Sequence, residues 1–323
     1  MDIGSTDRGV ASDRSSFRSA AMDGLRRPEK RLSCKYFYDK RGSELFDQIC
    51  ELDEYYLTRT ELAIMKEFAG EMGEQIGEGV RLVEFGSGSS TKTRILLEHL
   101  PDPVAYVPVD ISRSHLMETA KLLQQDFSHI EVLPVVTDFT KEFALPEPKR
   151  PATHSAVYFP GSTIGNFEKK DAESLLKVIA RICGRGGGLL VGVDLVKDKD
   201  VLELAYNDAQ GITAQFNLNL LHRLQSELGA ELDVEAFSHH AEYDEKEQRI
   251  ETFIRSDRDQ VLRIDDQFYS FDEGEMMHTE YSHKYTIDGF AELAKRAGLT
   301  LRRSWTDSRG YFAVLHLAIL GEQ

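Results

Sequence analysis

The fold of this 323-residue chain is decided by one stretch, Val83-Glu84-Phe85-Gly86-Ser87-Gly88-Ser89-Ser90. Its apolar first part is typical of a buried strand, and its glycines let the backbone approach a ligand closely. In open α/β sheets such a loop follows the carboxyl end of a strand, where the next helix offers unpaired N–H groups. The stretch therefore predicts a strand that runs into a loop for a nucleoside or nucleotide.

Around this loop, apolar runs alternate with amphipathic segments. The apolar runs are Val80–Phe85, Ala105–Val109, Val132–Val136, Ala156–Phe159 and Leu189–Val193. One helical stripe, behind Ser112 as a cap, consists of Leu116, Ala120, Leu123 and Phe127. A second stripe, followed by Gly184 as a stop signal, consists of Ala172, Leu175, Leu176, Ile179 and Ile182. Because strands this apolar are buried on both faces, the pattern predicts an α/β fold with a Rossmann-like parallel sheet.

The alternation lapses after residue 195 and resumes near residue 287. In between, a helical stretch covers Leu202–Leu228, and strand-like pieces cover Gln248–Ile254 and Gln260–Ile264. A helix stopped by Gly298 then precedes two strands, Leu299–Trp305 and Tyr311–Leu320, which we expect to form an antiparallel hairpin that closes the sheet. The pattern predicts a core at 61–195 and 287–323, interrupted by an α+β insertion at 196–286. Residues 1–60, with about 1–20 flexible, are expected to pack with the insertion.

Composition narrows the classes of partner. The net charge of −16 argues against nucleic acid, which requires a basic face. No apolar run approaches the roughly 20 residues of a membrane helix, and the polar start lacks the apolar stretch of a secretion signal. Three widely spaced cysteines, Cys34, Cys50 and Cys183, fit reduced thiols better than disulfides or a zinc site. We therefore expect a cytoplasmic protein, a small-molecule substrate and a monomer.

Three kinds of ligand compete for the glycine loop. A dinucleotide favours G-x-G-x-x-G, and Thr91 stands where the third glycine would be. A nucleoside triphosphate favours G-x-x-x-x-G-K-[ST], and Gly86-Ser-Gly-Ser-Ser-Thr91-Lys92-Thr93 departs from that pattern at one position. Val107-Pro-Val-Asp110 also resembles a Walker B strand. The glycines alone therefore leave a phosphate loop open.

Acidic residues favour the third ligand, S-adenosylmethionine. Glu84 would repel a triphosphate but attract a sulfonium ligand that carries an amino group. Asp110 ends the second strand, where it can accept hydrogen bonds from ribose hydroxyls, and Asp138 follows the third strand, where it can accept from the adenine amino group. The neighbouring ring of Phe139 can lie against the purine. Each aspartate could instead cap a helix, but their placement after successive strands favours a methyl-donor site.

Outside the loop, several segments resemble the histidine Nα-methyltransferases of ergothioneine biosynthesis, the EgtD family. The matching segments are Lys35-Tyr-Phe-Tyr38-Asp39, Gly42-Ser-Glu-Leu-Phe-Asp47, Glu54-Tyr55-Tyr56-Leu-Thr58-Arg59, Phe159-Pro-Gly161-Ser-Thr-Ile-Gly165-Asn166-Phe167, Tyr206-Asn207-Asp208, Phe216-Asn217-Leu-Asn219, His278-Thr-Glu280-Tyr-Ser282-His-Lys284-Tyr285 and Trp305-Thr-Asp307. The resemblance covers almost the whole chain after residue 30. It implies a class I methyltransferase core and a substrate-binding domain made from the N-terminal segment and the insertion.

The resemblance also implies an activity and a set of site residues. The family trimethylates the α-amine of L-histidine, through its mono- and dimethylated forms, to hercynine, and releases S-adenosyl-L-homocysteine. The implied cofactor residues are Tyr38, Glu84, Gly86, Gly88, Lys92, Asp110, Asp138 and Phe139. The implied substrate residues are Tyr55, Gly161, Asn166, Tyr206, Thr252, Glu280 and Ser282.

Physical roles can be written for the substrate residues. Asn166 and Tyr206 can both donate to the substrate carboxylate without adding charge. Glu280 and Ser282 point the same way in an extended segment, so both can reach one imidazole ring. The ring of Tyr55 can face the ammonium group, and Tyr38, the expected catalytic residue, would lie where the methyl group is transferred. Alone, each of these residues would more often be a cap, a core aromatic or a solvated strand residue.

Catalysis asks mainly for positioning, because a sulfonium is already an excellent methyl donor. The amine must lose a proton before each transfer, through Tyr38, Asp39 or water. The ten histidines include no ligand spacing with a third partner, so we expect no metal site.

One residue departs from the family. Thr252 stands where the family commonly has methionine, so the shape of the imidazole pocket is expected to differ more than its polarity. A different amino acid as acceptor, a P-loop nucleotidase and a non-catalytic sensor of S-adenosylmethionine remain as alternatives.

Overall fold

A computed structural model of the chain describes residues 6–87 and 91–319. The chain divides into two compact units, Met1–Tyr56 with Asp198–Ser282, and Leu57–Lys197 with His283–Gln323. The α-helices are α1 (Thr6–Leu25), α2 (Lys40–Glu51), α3 (Tyr56–Ile76), α4 (Thr91–His99), α5 (Arg113–Asp126), α6 (Lys169–Cys183), α7 (Lys199–Leu204), α8 (Ile212–Leu228) and α9 (Ile287–Arg296). Short 3-10 turns lie at Cys34–Tyr36, Thr163–Asn166 and Val234–Ala236.

The strands belong to three sheets. They are β1 (Val80–Phe85), β2 (Ala105–Asp110), β3 (Glu131–Val132), β4 (Val135–Val136), β5 (His154–Phe159), β6 (Gly188–Asp194), β7 (Phe237–Asp244), β8 (Arg249–Ser256), β9 (Gln260–Ile264), β10 (Gln267–Phe271), β11 (Met276–His283), β12 (Leu299–Thr306) and β13 (Phe312–Ile319).

The larger unit, which begins at Leu57, is built on a sheet with the strand order β12-β13-β6-β5-β1-β2-β3, and β4 also pairs with β2. The neighbouring strands β3, β2, β1, β5 and β6 are parallel, and so is the pair of β4 with β2. Strand β13 runs antiparallel to both β6 and β12. After β1 the chain builds outward through β2 and β3 and then returns to β5 on the other side of β1. Ligands of open α/β sheets bind beyond the carboxyl ends of the strands at such a switch point. The predicted Rossmann-like α/β core and its closing hairpin are confirmed.

Apolar side chains explain why these strands pair. Val83 lies opposite Val107 on one side and Val157 on the other, and all three are fully buried. The predicted third strand, Val132–Val136, is instead two short strands. Pro134 interrupts it, because proline has no N–H group to donate to a neighbouring strand.

The smaller unit combines helices with a three-stranded sheet of order β11-β8-β7 and the hairpin β9-β10. Its core is lined by Phe216, Leu220 and Leu224 of α8, which all fall on one helical face. The helical stretch predicted at Leu202–Leu228 is two helices. The break between them occurs where the Asp208 carboxylate accepts hydrogen bonds from the N–H groups at the start of α8.

The flexibility expected of about residues 1–20 stays a prediction, and helix α1 occupies much of that segment. Thr6–Leu25 is helical, and Phe17, Ala21 and Leu25 are buried in the core of the smaller unit. The physical reason is their spacing of four residues, which places them on one face of a helix despite the polar residues around them. Among residues 6–87 and 91–319, no helix is both long enough and apolar enough to cross a membrane.

Candidate active site

The glycine loop begins where β1 ends. Gly86 adopts φ +69°, a left-handed backbone conformation that favours glycine, and its N–H donates to Val109 O at 2.9 Å. Within the described part of the chain nothing lies within 4 Å of the position of an added Cβ, and the positive φ is by itself a reason for glycine here. Gly88, the other glycine predicted to hold the cofactor, lies outside the described residues. Helix α4 begins at Thr91, directly after this loop.

Glu84 is buried beneath the loop. Its carboxylate lies 2.7 and 2.9 Å from the Thr93 hydroxyl and accepts a hydrogen bond from the Tyr106 hydroxyl. Burial raises the pKa of Glu84 to about 7, and the two hydroxyl donors partly oppose that shift. These contacts lie inside the larger unit, so a direct contact of Glu84 with the cofactor stays a prediction.

Two aspartates follow neighbouring strands at the same edge of the sheet. Asp110 ends β2, where it pairs with Val136 of β4, and Asp138 comes two residues after Val136. One oxygen of Asp110 accepts from Ser112 N at 2.8 Å, and one oxygen of Asp138 accepts from Thr140 N at 3.1 Å. The turns formed by these bonds orient both side chains, as expected for Asp residues that bond the backbone two residues on.

Phe139 belongs to an aromatic cluster beside Asp138. Its ring stacks on Phe85 with the centroids 4.9 Å apart and meets the edge of Phe159 at 5.6 Å. Phe139 is nevertheless only partly buried. Its predicted contact with the purine stays a prediction, since one face already packs on Phe85.

Lys92 is held by a glutamate that the sequence analysis did not single out. Glu61 of α3 is 0% exposed, forms an ion pair with Lys92, and accepts from Gly161 N at 2.9 and 3.1 Å. A Cβ on Gly192 would lie 2.2 Å from the Glu61 carboxylate, so glycine in β6 makes room for it. Gly192, a glycine within a buried apolar strand, was the available signal, because such glycines often mark a close approach.

Predicted substrate residues of the smaller unit lie together. The Tyr206 hydroxyl donates to the Ser282 hydroxyl at 2.8 Å, and the rings of Tyr206 and Tyr55 meet edge to face at 6.2 Å. Phe46 links Tyr55 to Tyr38, with centroid distances of 6.2 and 5.5 Å. The sequence motif that contains Phe46 did not indicate a site role for it, and the structure adds Phe46 to this aromatic row. Tyr38 is 42% exposed.

Glu280 lies on β11 near this row. Burial, followed by the negative charge of Glu280, raises the pKa of Cys34 to about 12. Burial also raises the pKa of Tyr55 well above its usual value, with a smaller contribution from Glu280. A carboxylate and aromatic hydroxyls therefore share one environment, where Glu280 is the strongest hydrogen-bond acceptor.

The Asp39 carboxylate takes part in hydrogen bonds that stabilise the fold. Its carboxylate caps α2 by accepting from Gly42 N at 2.7 Å and accepts from the Asn219 amide at 2.8 Å. These contacts hold α2 and α8 together, which leaves Asp39 poorly suited to carry a proton from the substrate.

Thr252 lies on the buried face of β8, between Ile250 and Ile254. Its side chain is 3% exposed, and within the described residues its hydroxyl has no hydrogen-bond partner. Its carbonyl accepts from the Thr279 hydroxyl at 3.0 Å. Asn166 ends the 3-10 turn after β5 in the larger unit, whereas Tyr206 belongs to the smaller unit. The predicted carboxylate clamp between them stays a prediction.

The fold and these residues define a class of protein. A Rossmann-like sheet whose first strand ends in a glycine loop, with acidic side chains after the next strands, is the architecture of an S-adenosylmethionine-dependent methyltransferase. Among residues 6–87 and 91–319, no group of His, Cys, Asp and Glu is arranged to hold a metal ion.

Comparison with known proteins identifies the family. Residues 17–319 match the model of a family described as histidine-specific, SAM-dependent methyltransferases, and the chain belongs to that family. It is 40% identical to a histidine N-alpha-methyltransferase of Mycobacterium tuberculosis (strain CDC 1551 / Oshkosh), over 92% of this chain and 93% of that one. The corresponding protein of Mycolicibacterium smegmatis (strain ATCC 700084 / mc(2)155) is 39% identical and covers 92% of each chain.

A longer fungal protein and a solved structure are also similar. Ergothioneine biosynthesis protein 1 of Neurospora crassa is 31% identical over 87% of this chain and 32% of its own length. The structure of an S-adenosylmethionine-dependent methyltransferase from Clostridium acetobutylicum ATCC 824 is 11% identical with a TM-score of 0.49, covering 87% of this chain and 98% of that chain.

Proposed function

We propose that this protein transfers three methyl groups in turn from S-adenosyl-L-methionine to the α-amine of L-histidine, giving hercynine and S-adenosyl-L-homocysteine. The observation that carries the proposal is the Tyr206–Ser282 hydrogen bond beside Glu280, in a chain that matches the histidine-specific family over residues 17–319. An imidazole needs one acceptor and one group that can donate or accept, and Glu280 and Ser282 provide both.

Glu280 and Ser282 would read the ring, and Tyr206 would orient Ser282. Because the Ser282 oxygen accepts from Tyr206, its own hydrogen points in another direction, which can be toward a ring nitrogen. Tyr206 is predicted to donate to the substrate carboxylate. Its one hydroxyl hydrogen is instead donated to Ser282 here, which supports a part in ring recognition.

The aromatic row suits the charge that the amine acquires. Each transfer adds a methyl group, and the last leaves a quaternary ammonium that can no longer give up a proton. The π-faces of Tyr38, Phe46 and Tyr55 would favour such cations, and the three rings supply no strong base. We propose that the mono- and dimethylated intermediates are accepted for the same reason.

Cofactor binding would rest on Gly86, Asp110 and Asp138, which lie along one edge of the sheet. Lys92 would contribute through the geometry that Glu61 imposes on it, and the same carboxylate holds Gly161, which is predicted to bind the substrate. This arrangement also disfavours the P-loop alternative, because a phosphate-binding lysine must reach its ligand and Lys92 is paired with a buried carboxylate. A sensor without turnover would need no aromatic substrate row.

A mass measurement tests the proposal. The protein is incubated with S-adenosylmethionine carrying a labelled methyl group and with each standard amino acid in turn, and products are read by mass spectrometry. We expect a three-methyl mass gain on histidine. Trimethylation of another amino acid with histidine untouched would move the assignment to that acceptor, and Mg²⁺-dependent ATP binding without methyl transfer would favour the nucleotidase.

We also propose that the reaction takes place in the cytoplasm, since none of Cys34, Cys50 and Cys183, all three of which lie among the described residues, forms a disulfide. A monomeric state stays a prediction, and sedimentation of the purified chain tests it.

A further inference from the structure

The segment that carries Tyr206 is docked on the outer edge of a strand. β7 is an edge strand of the three-stranded sheet, and β8 covers its other side. Tyr243 N donates to the Glu203 carboxylate at 2.9 Å, and the Asn207 amide donates to Ala241 O at 3.0 Å. The side chains of Glu203 and Asn207 therefore bond to edge groups of β7 that no strand among the described residues covers, and such groups need partners.

A third contact with β7 comes from His239 and reaches Tyr206 itself. His239 Nε2 lies 2.8 Å from Tyr206 O. Because a carbonyl oxygen can only accept, Nε2 must carry the hydrogen. The imidazole thereby holds the carbonyl group next to the Cα from which the Tyr206 side chain extends.

The other ring nitrogen is held by Asn217 of α8. The Asn217 amide nitrogen lies 2.9 Å from His239 Nδ1 and also donates to Phe253 O at 2.8 Å. The bond to Phe253 O fixes which end of the amide is the NH₂ group, since a reversed amide would set two oxygens against each other. Nδ1 is therefore an acceptor, and the ring is a neutral tautomer with its hydrogen on Nε2. Burial lowers the pKa of His239, which favours the same neutral form.

We propose that His239, oriented by Asn217, is a positioning residue that places Tyr206 for acceptor binding. Tyr206 is held at both ends, by His239 at its carbonyl and by Ser282 at its hydroxyl. Losing the first bond lets the ring shift relative to Ser282, and small misplacements in a binding site are costly. The inference rests on the proposed function, because its readout is binding of the methyl acceptor.

Two amide substitutions of His239 test the roles of its two ring nitrogens separately. In His239→Gln the amide nitrogen can take the place of Nε2 and still donate to Tyr206 O. In His239→Asn the shorter amide reaches only the place of Nδ1, so it keeps Asn217 and loses Tyr206. We expect His239→Asn to raise KM for histidine about tenfold with a smaller change in kcat. His239→Gln should stay within about threefold of the wild type, and both should bind S-adenosylhomocysteine as the wild type does.

The adjacent residue offers a matched control. His240 is partly exposed and lies 3.5 Å from the Glu242 carboxylate, without contact to Tyr206 in the described part of the chain. His240→Asn should leave KM unchanged. Equal KM values for the Asn and Gln variants at position 239, or a parallel loss of cofactor affinity, would overturn the inference.

Two further measurements cover the cases in which the variants do not fold or histidine is not the acceptor. If neither variant folds, ¹⁵N NMR of histidine-labelled wild-type protein reads the tautomer. A hydrogen on Nε2 supports the inference, and one on Nδ1 overturns it. If the wild type ignores histidine and methylates another amino acid, the proposed function fails, and the same three variants test His239 with that acceptor.

Discussion

The cofactor residues of the larger unit and the substrate residues of the smaller unit are positioned in different ways. Asp110 and Asp138 follow paired parallel strands, so the register of the sheet alone brings them to one edge. Tyr206 and Ser282 are 76 residues apart and meet through one hydrogen bond between side chains. The first arrangement is a property of the backbone, whereas the second depends on how separate segments pack. Substitutions should therefore affect the two sets of residues differently.

Breaking the Glu61–Lys92 pair should have the largest effect. Glu61→Leu leaves a lysine and the Gly161 N–H without their acceptor, and loss of one partner of a buried pair costs about 3 kcal/mol or more. Urea unfolding should show this loss in the free energy of unfolding. Glu67→Leu, at an exposed position of α3, is the matched control and should change it by less than about 0.5 kcal/mol. Adding Lys92→Met to Glu61→Leu should restore part of the loss, and failure to do so would contradict the pairing.

The buried Glu84 should give the protein a pH-dependent stability. Its pKa of about 7 lies above the ordinary 4.5, so its contribution is complete below pH 4.5 and is lost as the pH rises through 7. The shift corresponds to a loss on the order of 3 kcal/mol. Glu84→Gln has no such titration, so its stability relative to wild type should increase by that amount between pH 4.5 and pH 8. A pH-independent difference would show that folding does not raise the pKa of Glu84.

Glu280 should matter for histidine and not for the cofactor. Glu280→Ala removes a charged acceptor, which is worth about 2–3 kcal/mol, or roughly 100-fold in kcat/KM. Calorimetry with S-adenosylhomocysteine should give a Kd within twofold of wild type. Glu273→Ala, at an exposed site before β11, should leave both quantities unchanged. Equal losses of acceptor and cofactor binding would contradict the assignment of Glu280 to the imidazole.

The smallest effect is expected at Thr252. Thr252→Val replaces a buried hydroxyl that lacks a partner in the described chain, so the free energy of unfolding should rise by about 1 kcal/mol. Thr279→Val removes a hydroxyl that donates to Thr252 O and should lower it by about the same amount. Thermal unfolding of the two variants measures whether each substitution raises or lowers the free energy of unfolding. If Thr252→Val is destabilising, its hydroxyl has a partner that binds it in solution.

Most of the larger unit could be predicted from the sequence. Val83 and its neighbours are apolar on both faces, and that pattern is sufficient to indicate a buried parallel strand. The exceptions have local causes. Pro134 divides the third strand, and Asp208 separates α7 from α8. In the smaller unit β7, β10 and β11 were not delimited, because mixed polar and apolar strands give a weak pattern.

The sequence by itself determined the sheet, the loop after β1 and the family to which the chain belongs, because strand periodicity and long motifs are local properties. Only the tertiary structure revealed Glu61 behind Lys92, Phe46 in the aromatic row and His239 behind Tyr206. The physical reason is that a hydrogen bond or ion pair joins side chains wherever packing brings them together. The number of residues between two positions does not indicate how far apart they lie in space. Positioning residues can therefore be recognised only in the folded chain.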